Sequence, residues 1–256
     1  MIPAVLFDLG NTLLEYTLQG RWREFLRQRL EEMYPLVCDT VARVGVSPAE
    51  FAAAVAEVIG GEQARAIERS GRSWHFADRL REGLAKVGLC AGDDCLERLT
   101  DTFYEPIRAC TKPYRDTRDA LQRLRSLGMR LAIITNSPWD TPARLLRGDL
   151  EQWGLADFFD VFICSGEVPW HKPNPAFMLA AAEALGIAAD DCLVVGDSLE
   201  SDIAGARAAG MPSVWVNPSG TPAPADAPQP DWVVRRIVRV AQIVGARERS
   251  RNTRRQ

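Results

Sequence analysis

Residues 2–7 form an apolar run that stops at Asp8, the pattern of a short buried strand. From Tyr16 to Thr111 the apolar positions recur at three- and four-residue intervals and predict helices only. One of these has a marked start. Ser47-Pro48-Ala49-Glu50 offers a hydroxyl cap, a proline in the first turn and a glutamate three residues on. Ser73 to Val87 and Asp93 to Cys110 read as two more helices. After Tyr114 the texture becomes an alternation. Helices are predicted over Asp116–Leu127 (closed by Gly128), Pro142–Trp153, Asn174–Leu185 and Ser201–Ala209. Between them lie the apolar runs Leu131–Ile134, Phe158–Cys164, Cys192–Val195 and Ser213–Val216.

Strands separated by helices of this length imply right-handed crossovers and a parallel sheet. The first strand is cut off from the rest by about a hundred helical residues, so the economical reading is one α/β unit carrying a helical insert after its first strand. The expected division is a core of residues 1–15 and 113–246, an insert of 16–112, and a basic, disordered tail of 247–256. Residues 218–230 are too rich in proline for regular structure, and 233–244 form a last apolar segment.

Composition narrows the class. The chain has 256 residues, 46% hydrophobic and 25% charged, with a net charge of −3. These values suit a globular protein and argue against a partner that is nucleic acid or a membrane surface. The arginines gathered after residue 246 place the basic charge at one end rather than in the body. The six cysteines show no CxxC spacing, which predicts free thiols in a reducing compartment. No apolar run approaches the length of a membrane span, and the first eight residues lack the basic start of a signal peptide. The expected location is therefore cytoplasmic.

In an open parallel sheet, ligands bind beyond the carboxyl ends of the strands. Four segments fall there: Asp8-Leu9-Gly10-Asn11-Thr12, Thr135-Asn136-Ser137, His171-Lys172-Pro173-Asn174, and Gly196-Asp197 running on to Asp202. Asp8 and Asp197 on neighbouring strand ends repel each other unless a cation lies between them, and hard oxygen ligands suit Mg²⁺. Lys172 adds a positive point charge and Thr135 a donor. Such a set suits a phosphoryl group, whose transfer depends on positioning and charge neutralisation. A carboxylate there can also attack phosphorus and form an aspartyl-phosphate.

With these four segments in order, the chain resembles the haloacid dehalogenase superfamily over roughly residues 3–217, in the branch with a helical cap after the first motif. That resemblance implies a Rossmann-like core under an all-helical cap. It further implies Asp8 as nucleophile and Mg²⁺ ligand, Asp197 as a second metal ligand, and the Gly10 carbonyl as a third. Thr135, Asn136 and Lys172 are then expected on the phosphoryl group, with Asp202 holding Lys172 or a metal-bound water.

One departure matters. The family pattern Asp-x-Asp-x-(Thr/Val) has its second acid replaced by Gly10. In family phosphatases that acid protonates the leaving group, and such help contributes about 10²–10⁴-fold. The leading expectation is a Mg²⁺-dependent phosphatase of small phosphorylated metabolites. The alternatives are 2-haloacid cleavage, whose halide leaves without a proton, phosphonate cleavage, and a catalytically silent binding module.

Among the remaining residues, Arg21, Arg23, Arg72 and His75 are candidates for reading an anionic substrate, and His171 reads as a surface-loop residue. The oligomeric state is left open.

Overall fold

The computed structural model describes residues 3–16, 22–40 and 45–253. Six parallel strands form one sheet in the order β5-β4-β1-β6-β7-β8. The strands are β1 (Ala4–Phe7), β4 (Arg130–Thr135), β5 (Val161–Cys164), β6 (Cys192–Gly196), β7 (Ser213–Val216) and β8 (Trp232–Val234). β1 is central and wholly buried, as an apolar run covered on both faces should be. Alternation along it feeds two cores. Val5 and Phe7 join the larger cluster on one face, while Ala4 and Leu6 join the cluster built by α8 (Pro175–Leu185) and α9 (Ala204–Ala208) on the other.

The chain leaves β1 towards β4 and β5, then returns to the other side of β1 as β6. This reversal makes the carboxyl end of β1 a topological switch point, the natural site for a ligand crevice. Register brings the strand ends level. Phe7 is paired with Ile133 on one side and with Val195 on the other. The Asp8 N–H then donates to the Val195 carbonyl at 2.9 Å.

Among the described residues, five helices stand between Tyr16 and Thr111 in sequence: α1 (Trp22–Thr40), α2 (Pro48–Gly60), α3 (Glu62–Arg69), α4 (Phe76–Lys86) and α5 (Asp93–Ala109). The predicted start at Ser47 is a full capping box: Ser47 Oγ accepts the Glu50 N–H, and the Glu50 carboxylate accepts the Ser47 N–H at 2.9 Å. The insert has no core of its own. Phe51, Phe76 and Phe103 belong to the same apolar cluster as Val5 and Phe7, joined through Leu9, Leu13, Leu14 and Tyr16.

Three strands were not predicted, β8 and a pair beside the insert. β2 (Leu14–Tyr16) and β3 (Thr111–Pro113) pair antiparallel and close the insert at its base. Each is three residues long, too short to show an alternating signal. The helices α6 (Thr117–Ser126) and α7 (Ala143–Gln152) follow the predicted pattern, and residues 218–230 are irregular as expected. The final apolar segment divides into β8 and the start of α10 (Arg239–Thr253). The backbone of α10 stays helical through residues 247–253, where composition predicts disorder; a helix already seeded by the buried Val240 and Val244 extends at little cost. Among the described residues no helix is long and apolar enough to cross a membrane. Cys90, Cys95, Cys110, Cys164 and Cys192 are free thiols.

Candidate active site

The residues predicted at the strand ends line one cavity of about 220 Å³: Asp8, Gly10, Thr135, Asn136, Lys172, Asp197 and Asp202. Asn11, Tyr16, Pro138, Leu146 and Ser201 complete its wall. A larger cavity of about 620 Å³ lies beyond Asn11 and Thr12, but its acids Glu15 and Asp116 are ion-paired with Lys112 and Arg236. The uncompensated acids are therefore in the smaller one.

Each element contributes by ending at the right place. Asp8 follows β1 directly, and Thr135 is the last residue of β4. Asp197 follows β6, and its carbonyl accepts the Trp215 indole N–H at 2.8 Å. The turn after Asp8 is fixed by Asn11 at φ 59°, in the left-handed region that asparagine tolerates better than most residues. Leu13 and Leu14 N–H groups then donate back to the Leu9 carbonyl, returning the chain into β2. Gly196 is required for a different reason. A Cβ there would collide with the carboxyl group of Asp202.

Lys172 organises the charges. Its buried ammonium lies 2.6 Å from Asp8 Oδ1 and 2.7 Å from Asp202 Oδ1, and it donates to the Ile134 carbonyl at 3.0 Å. Asp202 spends its other oxygen on the Ser198 N–H at 3.0 Å, so its carboxylate is fully engaged. Thr12 Oγ1 donates to Asp8 Oδ2 at 3.0 Å. Asn136 clamps the Lys172 backbone from both sides, donating to its carbonyl at 3.1 Å and accepting its N–H at 2.9 Å. The sequence pointed Asn136 at substrate; its side-chain amide instead holds the lysine segment.

Ligand atoms of Asp8, Asp197 and Asp202 all lie within 4.8 Å of one another. One ammonium cannot balance three carboxylates. Burial, opposed by Lys172 and aided by Asp202, pushes the Asp8 carboxyl up from 3.8 to about 6. Burial and then the charges of Asp8 and Asp202 push Asp197 up to about 7. Lys172 moves in the stabilising direction. Burial alone would lower it, but Asp202 and Asp8 hold it above the ordinary lysine value. The donor set, hard oxygens carrying excess negative charge, fits a divalent cation such as Mg²⁺.

His171 is a correction. It is buried rather than on a surface loop, and its Nε2 lies 2.6 Å from Asp140 Oδ1. Asp140 also accepts Arg79 of α4 at 2.8 Å and the Trp74 N–H at 2.9 Å. The only sequence signal was adjacency to Lys172; the partners come from distant segments. Arg72 and His75 do not line the cavity; Arg72 bridges to Trp170 instead. Arg21, and the side chain of Arg23, lie outside the described residues.

A doubly wound sheet with a helical insert and an acidic cleft at its switch point defines a hydrolase of the α/β class. The comparisons make this specific: the profile of the haloacid dehalogenase-like hydrolases matches residues 2–210, and the chain belongs to that family. A glyceraldehyde 3-phosphate phosphatase from Methanopyrus kandleri is 29% identical, over 84% of this chain and 83% of its own. A phosphoglycolate phosphatase from Neisseria meningitidis is 40% identical, but over only 52% of this chain, and the match spans 56% of that relative's length. Among solved structures, a HAD phosphatase from Thermococcus onnurineus superposes with TM-score 0.60 at 26% identity, covering 94% of this chain and 97% of its own. A 2-haloacid dehalogenase from Pseudomonas syringae has TM-score 0.67 at 24% identity, covering 96% and 99%, and shares the fold.

Proposed function

We propose that this hydrolase is a Mg²⁺-dependent phosphatase of small phosphorylated metabolites that works through an aspartyl-phosphate on Asp8. The observation that carries this reading is the junction of three carboxylates within 4.8 Å with Lys172 Nζ 2.6 Å from Asp8, in a single cavity. Phosphatases among the relatives support the substrate class.

In this scheme the Asp8 oxygen attacks phosphorus while Thr135 holds a phosphoryl oxygen and Lys172 offsets the negative charge beside it. Asp202 and the Ile134 carbonyl keep Lys172 pointed at that spot, and Asn136 fixes its backbone. Thr12 and Lys172 orient the Asp8 carboxylate, each donating to one of its oxygens. Asp8, Asp197 and the Gly10 carbonyl are the groups to hold Mg²⁺, which when bound supplies positive charge beside the transferring phosphoryl group. Helices α1–α5, tied down by the β2–β3 ribbon, serve as a cap over the cleft that limits access of water.

The bare Gly10 favours a second reading, cleavage of a carbon–halogen bond, since halide leaves without a proton. A panel of phosphate esters, phosphonates and 2-haloacids, assayed with Mg²⁺ and with a chelator, tests both. Mg²⁺-dependent phosphate release supports the first reading. Halide release without metal replaces it with the second, and Mg²⁺ binding without turnover of any compound leaves a binding module.

A further inference from the structure

A side chain at position 10 would crowd the ring of Tyr16, which would have to give by a few tenths of an ångström. A Cβ built on Gly10 would lie 3.2 Å from Tyr16 Cε2 and 3.4 Å from Cδ2. Gly10 is not among the glycines with positive φ, so its backbone accepts other residues, and the obstacle is the ring alone. Nor is that ring free to swing. Tyr16 is buried, and its hydroxyl interacts with the Asp149 carboxylate beside Tyr104. Tyr104 in turn donates to Asp149 at 2.6 Å, and Arg108 donates to the same carboxylate at 3.0 Å.

No other side chain in the cavity takes the vacant role. The Lys172 ammonium is committed to Asp8, Asp202 and the Ile134 carbonyl. Asp202 is bound at both oxygens. Asp8 and Asp197 are the nucleophile and the metal ligand of the proposed phosphatase. Thr135, Asn136, Asn11 and Ser201 are too weakly acidic to donate a proton at neutral pH.

We infer that Tyr16 is a specificity-determining residue that, packed against Gly10, excludes a proton donor and restricts the enzyme to phosphates whose leaving oxygen is already acidic. The class is acyl, enol and phenolic phosphates, as opposed to simple alkyl esters. The inference rests on the phosphatase reading above. In the first step an Asp8 oxygen bonds to phosphorus, and the phosphorus–oxygen bond breaks with its electron pair leaving on a carboxylate, enolate or phenolate. In the second step water attacks phosphorus, Asp8 is regenerated, phosphate departs, and the proton goes to solvent. With no base to assist it, this second step limits turnover for the best substrates.

The test is kcat/KM of the Mg²⁺-loaded protein for acetyl phosphate, a series of substituted phenyl phosphates, and alkyl phosphates. The expected result is a fall of about 10²–10⁴-fold from the most acidic phenol to the alkyl esters, the amount that an enzyme's proton donor usually supplies. A burst of one phenolate per active site should precede steady turnover, and kcat should be level across the acidic end. Gly10→Asp combined with Tyr16→Ala should narrow the gap by about tenfold or more, and Gly10→Asp alone should not. A wild-type profile flat to within tenfold overturns the inference and leaves the phosphatase reading standing. Narrowing by Gly10→Asp alone shows that Tyr16 is no obstacle and overturns its role. Failure to hydrolyse any member, acetyl phosphate included, overturns the phosphatase reading and the inference with it. The wild-type profile decides the question even if the double variant does not fold.

Discussion

Two buried ionic clusters sit side by side at the same edge of the sheet, carried in part by the adjacent residues His171 and Lys172. In one, three carboxylates share a single ammonium beside a 220 Å³ cavity. In the other, the single carboxylate of Asp140 is held by Arg79 and His171, and both Asp140 and Arg79 are sealed from solvent. Their electrostatics are opposite. Asp8 and Asp197 are pushed above the usual carboxylate range. Burial would push Asp140 up too, but His171, Ser165 and the Trp74 N–H outweigh it and hold the group below that range. Burial alone therefore does not mark a functional acid. The mark is burial combined with charge left uncompensated and room for a ligand to compensate it.

The sharpest way to break this contrast is to remove one carboxylate from each cluster. Asp8→Asn should reduce phosphate-ester turnover by about 10⁴–10⁶-fold, as loss of a nucleophile does elsewhere. It should leave the melting temperature unchanged or higher, because it relieves a surplus of like charge. Asp140→Ala should do the reverse. It leaves the Arg79 guanidinium buried without its carboxylate, at a cost of about 3–5 kcal/mol, to be read from chemical denaturation. Equal effects of the two substitutions on both measurements would dissolve the distinction.

A smaller effect follows from pH. For Asp8 and Asp197 the folded-state pKa lies above the unfolded 3.8, so the folded protein binds more protons across that interval. Their contribution to stability is complete below pH 3.8 and is lost as pH rises through about 6 and about 7. In the presence of a chelator, denaturation midpoints should carry a decline over this window that Asp197→Asn flattens. Added Mg²⁺ should raise the midpoint at pH 8 more than at pH 5, since the metal needs ionised ligands. Equal stabilisation at both pH values would mean that these acids do not hold the ion.

How far each cluster was legible follows from the same difference. The candidate set was readable because most of its members end or directly follow an apolar strand, and strand ends meet whenever the sheet is parallel. Asp8, Thr135 and Asp197 need nothing more than that rule. Tyr16 was not readable, since its place beside Gly10 depends on β2 folding back through a three-residue pairing with β3. The Arg79–Asp140–His171 set was hidden for a related reason. Arg79 is on a helix of the insert, and Asp140 turns inward at a kink where Trp139 and Asp140 have φ of 49° and 56°. Aspartate tolerates that conformation, but tryptophan is not of a type that announces it.

The least disruptive test concerns His171. Its imidazole supplies one of four partners of Asp140; Ser165 is another, and the remaining two, Arg79 and the Trp74 N–H, come from the insert. His171→Gln replaces the ring with an amide able to donate to the same carboxylate. The charge balance of the cluster survives because Arg79 remains at 2.8 Å. The expected cost is about 0.5–1.5 kcal/mol, the net value of a single hydrogen bond. Activity should change little. Lys172 is fixed through its own side chain and through the Asn136 clamp, neither of which uses the imidazole. A loss of turnover as large as that of Asp8→Asn, with the fold intact, would instead mean that the two clusters act as one and that the sealed set is part of the chemistry.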